Sequence, residues 1–455
     1  MISTFKQRLL HSASRLPFIA VLLATCTMAA AQTEFLAYSF PLASNGSMAA
    51  GCQPKGNLVA DSAGNLYGTT EYCGLGAGAV FELVRPVPPS TQWTETVLYD
   101  FTGGIDGSND GRYPLAGVVF DTAGNLYGTT SVGGAANLGS IFELMPPATE
   151  GGQWTESVIY SFQGGTADGE YPGSAGVVFD GLGNLYGVTY EGGSGGQEYG
   201  FNSTGVAYKL TPPATPGAAW TETVIHKFLA RNGTVYPVGT PVFDADGNLY
   251  GATGGGESIS HSIGAAAYRL NPPATGSGLW TFRLLYSFGG PGDGPQSSLT
   301  FHNNGHLYGT AEDGSQFGQG SVFELVPPAT AGGVWTENIL HSFYGSAGDG
   351  RNPVANVIFD GAGNLYGTTP YGGSGAPSPN CYSSGCGTVF ELSPPAAEGG
   401  DWTETILHSF PPPGARAKDG TEPNYGLFLS KNGTLFGVTA GNGKGDEGTV
   451  FAVIP

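Results

Sequence analysis

The chain has 455 residues, of which 78 are glycine and 32 proline, with 40% hydrophobic and 12% aromatic residues and a formal charge of −20. Glycine and proline at this level break helices, while the apolar and aromatic content is enough for a large core, so the composition excludes both a helical bundle and a disordered chain and points to an all-β protein rich in turns. The acidic balance disfavours nucleic acid and anionic membrane surfaces as partners.

The first element in chain order is a targeting segment. Lys6, Arg8 and Arg15 precede a short apolar run at 17–25, and Ala29, Ala30 and Ala31 fit a small-residue cleavage site before Gln32. Residues 1–31 therefore read as a secretory signal peptide, too short and wrongly flanked for a membrane span. A loose lipoprotein box ending at Cys26 is the weaker reading, because Thr25 is a poor residue before such a cysteine. Removing three positive charges and no negative one moves the formal charge from −20 to −23. No second apolar span follows and the chain ends at Pro455 without an anchoring tail, so release or periplasmic residence is the expectation.

Residues 32–455 carry one phrase seven times. Gly-Asn-Leu-Tyr-Gly or a close variant places its aromatic at Tyr67, Tyr127, Tyr186, Tyr250, Tyr308, Tyr366 and Phe436. A period of this size marks one supersecondary unit repeated. The second copy reads as four strands: Val118 to Phe120, Asn125 to Thr130, Ser140 to Leu144, and Trp154 to Phe162. Asp121-Thr-Ala-Gly124 is a tight turn, and Pro146-Pro147 stops the third strand because proline cannot continue a ladder. Four short antiparallel strands repeated seven times predict a seven-bladed β-propeller in a single domain. Trp93, Trp154, Trp220, Trp280, Trp335 and Trp402 open six outer strands. The seventh lies at the other end of the chain, where Gln32 to Phe40 aligns with the Trp154 strand. The chain's last strand, Thr449 to Val453, is only a third strand, so the N-terminal strand is expected to close the ring.

One rim of such a ring carries the loops between second and third strands and those between blades, including 190–204, 254–263, 311–319 and 370–387. Cys52, Cys73, Cys381 and Cys386 fall there, and their spacing suggests the pairs Cys52–Cys73 and Cys381–Cys386 in an exported protein. No histidine pattern accompanies them, so neither pair reads as a zinc site.

The phrases Asp-x-Ala-Gly-Asn-Leu-Tyr-Gly-Thr-Thr at 360–369 and Gly-Thr-Val-Phe-Glu-Leu at 387–392 resemble the bacterial Gloeo-Verruco (GloVer) tandem repeat over about residues 33–455. The resemblance implies an exported repeat protein and brings no catalytic residues with it.

Candidate chemistry is sparse. The signature aromatics and the tryptophans read as packing between units. Alternation along an outer strand puts Trp93, Glu95, Val97 and Tyr99 on one face. Asp61, Asp121, Asp180, Asp244 and Asp360, replaced by His302 and Ser430 in two copies, read as turn acceptors. A second recurring pair, Asp-Gly or Asn-Gly, sits between blades and supplies the candidate ligand-binding residues Asp110, Asp168, Asp293, Asp349 and Asp419, with Asn45 and Asn232 at equivalent places. Oxygen-bearing side chains around one mouth suit sugar hydroxyls or calcium, although Asp-Gly is also a common turn signal. No dense calcium loop is present, so no cofactor or metal is expected and calcium is the weak exception. Glu71, Glu191, Glu198, Asp313 and Glu447 are rim acids suited to an enzyme. His226, His341 and His408 occupy the tyrosine position of the outer strand and read as packed substitutes. The expected function is a monomeric binding module for a polysaccharide or an envelope or extracellular protein. The alternative is a carbohydrate-active hydrolase or lyase using rim carboxylates.

Overall fold

The computed structural model describes residues 33–41, 52–72, 74–104, 108–149, 151–193, 200–201, 203–215, 217–258, 261–274, 280–289, 293–330, 332–345, 348–374, 385–397, 399–411, 419–443 and 447–455. The expected signal peptide at 1–31, Asn45, Cys73, Glu198 and Cys381 lie outside them. Seven four-stranded antiparallel sheets form seven propeller blades. Blade one holds Cys52–Ala60, Leu66–Tyr72, Ala79–Val84 and Thr94–Asp100. Blade two, with Val119–Phe120, Leu126–Thr130, Ser140–Met145 and Thr155–Ser161, matches the four predicted strands apart from their ends. The outer strands of blades three to six are Thr221–Lys227, Thr281–Ser287, Thr336–Ser342 and Thr403–Ser409.

Blade seven takes Phe428–Leu429, Leu435–Thr439 and Thr449–Ile454 from the end of the chain and Thr33–Ser39 from its start. The closing strand is antiparallel, with Thr33 opposite Ile454 and Ser39 opposite Thr449. Closure removes the open edge that would leave one blade face uncovered.

The repeated phrase has three jobs in this packing. Its tyrosine is buried between blades: Tyr127 lies edge-on to Phe179 of the next blade, with centroids 5.1 Å apart, and against Trp220 at 6.0 Å. The Tyr127 hydroxyl donates to Glu143 Oε1 at 2.6 Å and to Asp121 Oδ2 at 3.3 Å, which ties the strand to its turn. The asparagine completes that turn, since Asn125 N donates to Asp121 Oδ1 at 2.9 Å and Asn125 Nδ2 to Asp121 Oδ2 at 2.8 Å. Ser430 serves the same turn in blade seven by accepting from Thr434 N at 3.0 Å. The last glycine of the phrase makes room for a third-strand aromatic: a Cβ on Gly128 would stand 2.5 Å from Phe142 Cζ.

One expectation fails. The outer strand does not alternate cleanly, because its pairing with the third strand skips one residue in each of the seven blades. In blade one Phe81 faces Val97 and Val80 faces Tyr99, so Leu98 is an extra residue. A bulge of this kind turns the strand beyond it to the other face. Trp93 accordingly packs with Phe81 and Phe436 towards blade seven, whereas Leu98 and Tyr99 pack with Leu126 and Phe142 towards blade two.

Candidate functional site

The inner strands of all seven blades line an axial cavity of about 740 Å³. Small side chains and direct bonds narrow it. Asn57 Nδ2 donates to Asn356 Oδ1 at 2.9 Å, and Gly426 N donates to Asn57 Oδ1 at 2.8 Å, linking blades one, six and seven.

Around this axis the connections between blades and the loops after the second strands share a rim. Short ladders join them: Gly111–Arg112 pairs with Val132–Gly133, Gly169–Glu170 with Glu191–Gly192, and Gly350–Arg351 with Tyr371–Gly372. At the entry to the inner strand of six blades, a residue before proline adopts a left-handed backbone. The positions are Gln53, Tyr113, Tyr171, Tyr236, Asn352 and Glu422, all with φ between 51° and 60°. Non-glycine residues rarely adopt this conformation, and such strain persists where surrounding structure imposes it. Here the imposing contact is a backbone hydrogen bond to the preceding blade: Tyr113 N donates to Ala77 O, Tyr171 N to Leu138 O and Tyr236 N to Thr204 O, at 2.8 to 3.0 Å.

These positions were not among the sequence-derived candidates. Their signal is present all the same, as an x-Pro pair that begins two or three residues after the glycine of Asp-Gly or Asn-Gly at five of the six positions and seven after it at Gln53. They bring an arc of tyrosines to the rim. Tyr72 is exposed and meets Tyr113 edge-on at 5.3 Å. Tyr190, also exposed, stacks on Tyr236 with centroids 4.6 Å apart and planes 10° from parallel. Tyr171 accepts at its carbonyl from Tyr190 N at 2.9 Å, so it is part of the same surface.

Among the described residues, the predicted rim acids Glu71, Glu191, Asp313 and Glu447 are spread along this surface and are not gathered into one pair. Glu71 Oε2 lies 2.9 Å from Lys55 Nζ, which also sits 5.9 Å from the centre of the Tyr425 ring. Burial alone would lower the Lys55 pKa, yet Tyr425 and Glu71 leave it raised. Glu191 stands opposite Glu170 across a two-residue ladder, and burial together with Glu170 raises its pKa. Asp313 accepts from Asn352 Nδ2 at 3.1 Å. The Glu447 carbonyl accepts from Gln53 N at 2.7 Å.

The Asp-Gly aspartates sit deeper than the mouth. Asp110, Asp168 and Asp349 are buried, Asp293 and Asp419 are half-buried, and Asn232 is exposed at the end of a short 3-10 turn. Backbone amides hold the buried three. Thr102 N donates to Asp110 at 2.5 Å, Gln163 N and Gly169 N to Asp168 at 2.6 Å each, and Tyr344 N and Gly350 N to Asp349 at 2.7 Å each. Each aspartate also meets two outer strands, and the bulge explains how. One blade sends its tyrosine or histidine forward, and the next blade sends back the glutamate of its Trp-Thr-Glu. Tyr160 OH donates to Asp168 Oδ2 at 2.9 Å, and Glu222 of blade three lies beside the same aspartate. Burial, with Asp168 adding to it, pushes the Glu222 carboxyl up to about 7; Glu156 beside Asp110 behaves alike. Where blade four carries Phe282 in place of glutamate, His226 stacks on it at 4.5 Å, and burial pushes the imidazole down to about 4.

Cys52 and Cys386 are buried at this rim, while the other member of each expected pair lies outside the described residues. No helix among the described residues is long and apolar enough to cross a membrane.

Residues 27–198 and 197–451 match the Gloeobacter/Verrucomicrobia repeat. Among curated proteins none matches. Among solved structures, a PL25 ulvan lyase, described as a new family of polysaccharide lyase, aligns over 92% of this chain and 95% of its own at 10% identity and a TM-score of 0.51. PorZ, a surface component of the type-IX secretion system of Porphyromonas gingivalis, aligns over 87% of this chain and 46% of its own at 15% identity and a TM-score of 0.47. A putative glucose dehydrogenase of Thermus thermophilus aligns over 93% and 99% at 13% identity and a TM-score of 0.41. At these identities the likeness is one of fold.

Proposed function

We propose a function from the premise that the chain belongs to the Gloeobacter/Verrucomicrobia repeat family: it is an exported binding module that holds a polysaccharide on its loop-rich rim. The observation that carries the reading is the arc of Tyr72, Tyr113, Tyr171, Tyr190 and Tyr236, an aromatic surface bordered by the half-buried carboxylates Glu71 and Glu191. Tyrosine rings offer apolar faces to sugar rings, and their hydroxyls and the carboxylates offer partners to sugar hydroxyls. The reading includes removal of residues 1–31, disulfides Cys52–Cys73 and Cys381–Cys386, one folded domain over 32–455, a monomeric state, and binding without a cofactor. Asp110, Asp168, Asp293, Asp349 and Asp419 support the rim from behind as turn residues between blades.

The test incubates the mature chain with soluble and insoluble polysaccharides and follows protein depletion together with released reducing or unsaturated ends. Depletion without products, weakened about 5- to 10-fold in Tyr190→Ala or Tyr236→Ala as one stacking ring is lost, is the expected result. Absence of binding to every polysaccharide refutes the reading and favours an envelope or extracellular protein as partner. The Lys55, Glu71 and Tyr425 cluster favours a second reading, a lyase or hydrolase acting on an acidic sugar. Products that disappear in Lys55→Met, with the fold intact, would establish it.

A further inference from the structure

The junction of blades five and six differs from those that follow blades one, two and four in one atom-scale respect. Blade five carries His341 where blades one, two and four carry Tyr99, Tyr160 and Tyr286. Tyr160 reaches its aspartate with a 2.9 Å hydrogen bond. The shorter imidazole does not: His341 Nε2 stops 3.7 Å from Asp349 Oδ1 and 3.6 Å from Glu404 Oε2. His341 Nε2 is a buried atom and makes no hydrogen bond, and Glu404 Oε1 is in the same condition. The Asp349 side chain is only 1% exposed, and backbone amides of Tyr344 and Gly350 orient its two oxygens. The His341 ring is set by an edge contact with Phe343 at 4.7 Å.

These spacings are too long for hydrogen bonds but suit ligands around an ion. Metal bonds of about 2.1 Å at tetrahedral angles place ligand atoms about 3.4 Å apart. One ligand atom from each of His341, Asp349 and Glu404 lies within 4.8 Å of the others, and among the described residues this is the one group of three such side chains so arranged. One imidazole nitrogen and two carboxylate oxygens form a donor set for a borderline divalent ion, and a doubly charged cation balances one buried and one half-buried carboxylate. Calcium, which takes six to eight oxygens, fits three ligands of this kind poorly. We propose that the junction of blades five and six binds one zinc-class divalent cation through His341 Nε2, Asp349 Oδ1 and Glu404 Oε2. A water or a ligand group completes the fourth position. The bond ties two outer strands together through a histidine at the tyrosine position of blade five.

The test uses the mature chain stripped with a chelator, with ZnCl2 and CaCl2 as separate probes in calorimetric titration and CoCl2 as a spectroscopic probe. Expected are one zinc per chain, a rise in melting temperature reversed by chelator, and visible cobalt bands of a four-coordinate site. His341→Tyr gives blade five the side chain that blades one, two and four carry. It should melt like the stripped parent yet bind zinc at least ~100-fold more weakly, since loss even of a supporting group costs 10- to 100-fold. His261→Ala, distant in sequence and outside the site, should bind as the parent does. No saturable zinc binding, calcium binding without zinc binding, or undiminished zinc affinity in His341→Tyr overturns the proposal. Should His341→Tyr fail to fold, Glu404→Gln decides in its place by the same readout.

Discussion

Two glycine-to-alanine changes, identical in chemistry, are expected to move stability in opposite directions. Gly128 lies in the second strand of blade two, and an added Cβ there would meet Phe142 Cζ at 2.5 Å, Phe142 Cε1 at 2.9 Å and Val118 Cγ1 at 3.3 Å. The ring must retreat by about 1 Å to restore ordinary contact, and it has little freedom to do so. Phe142 is fully buried and packs edge-on against Phe101 with centroids 5.1 Å apart. Overpacking of a filled core costs about 1–3 kcal/mol, while alanine regains about 0.5–1 kcal/mol over glycine in backbone entropy. Gly128→Ala should therefore destabilise by about 1–2 kcal/mol. Gly181 sits in an exposed turn with no atom within 4 Å of its Cβ position and no positive φ. Gly181→Ala should stabilise by about 0.4–1 kcal/mol through the unfolded chain alone. Guanidinium unfolding, with the slope held in common, measures both. Phe142→Leu removes Cζ, so the double change Gly128→Ala with Phe142→Leu should cost less than the two single changes added together. A Gly128→Ala variant as stable as the parent, or strict additivity of the pair, would refute the close-approach account of the repeated glycine.

The half-buried glutamates between blades make a pH prediction. Glu156 and Glu222 are held at about 7 in the fold against 4.5 in the free side chain, so between those values the folded chain keeps protons that the unfolded chain releases. Their contribution is full below pH 4.5 and lost as pH rises through 7. His226 and His408, pushed down to about 4 by burial, act in the opposite sense below pH 6.5, so the readout is the difference between parent and variant. Glu156→Gln with Glu222→Gln should gain on the parent by on the order of 1 kcal/mol per site between pH 5 and pH 8, after allowance for solvent screening; an unchanged difference across that range would count against it. Removal of the closing strand Thr33–Ser39 should strip blade seven of its outer edge, expose the Phe451 and Ala452 row, and lower the melting temperature by several degrees, while a chain that melts as before would mean the ring does not depend on its closure.

Much of this architecture was legible in the sequence because the repeat reports it seven times. A strand that must pack the same way in every blade repeats the same residues, so Asp121, Asn125, Tyr127 and Gly128 recur as a phrase, and that phrase proves to be one turn, one interblade aromatic and one close approach. Ring closure was legible for a related reason: six tryptophan strands and one tryptophan-less copy at the start of the chain leave a single way to complete seven blades. What the sequence could not show was the bulge at Leu98 and its equivalents. Strict alternation assigns Trp93 and Tyr99 to one face, and a one-residue slip in pairing leaves no mark in composition. That slip is decided by how the third and outer strands meet.

The candidate sites follow the same division. Asp349 was visible as one of a recurring pair, but its neighbours His341 and Glu404 lie in two different outer strands, eight and fifty-five residues away in the chain, and only the bulge and the stacking of blades bring them to one point. The tyrosine arc likewise depends on residues before proline whose left-handed backbone is imposed by a neighbouring blade. Local sequence thus determined the unit and its number, because strand, turn and close packing are short-range demands. The tertiary structure alone decided which side chains meet between units, because that depends on register and on the geometry of the closed ring.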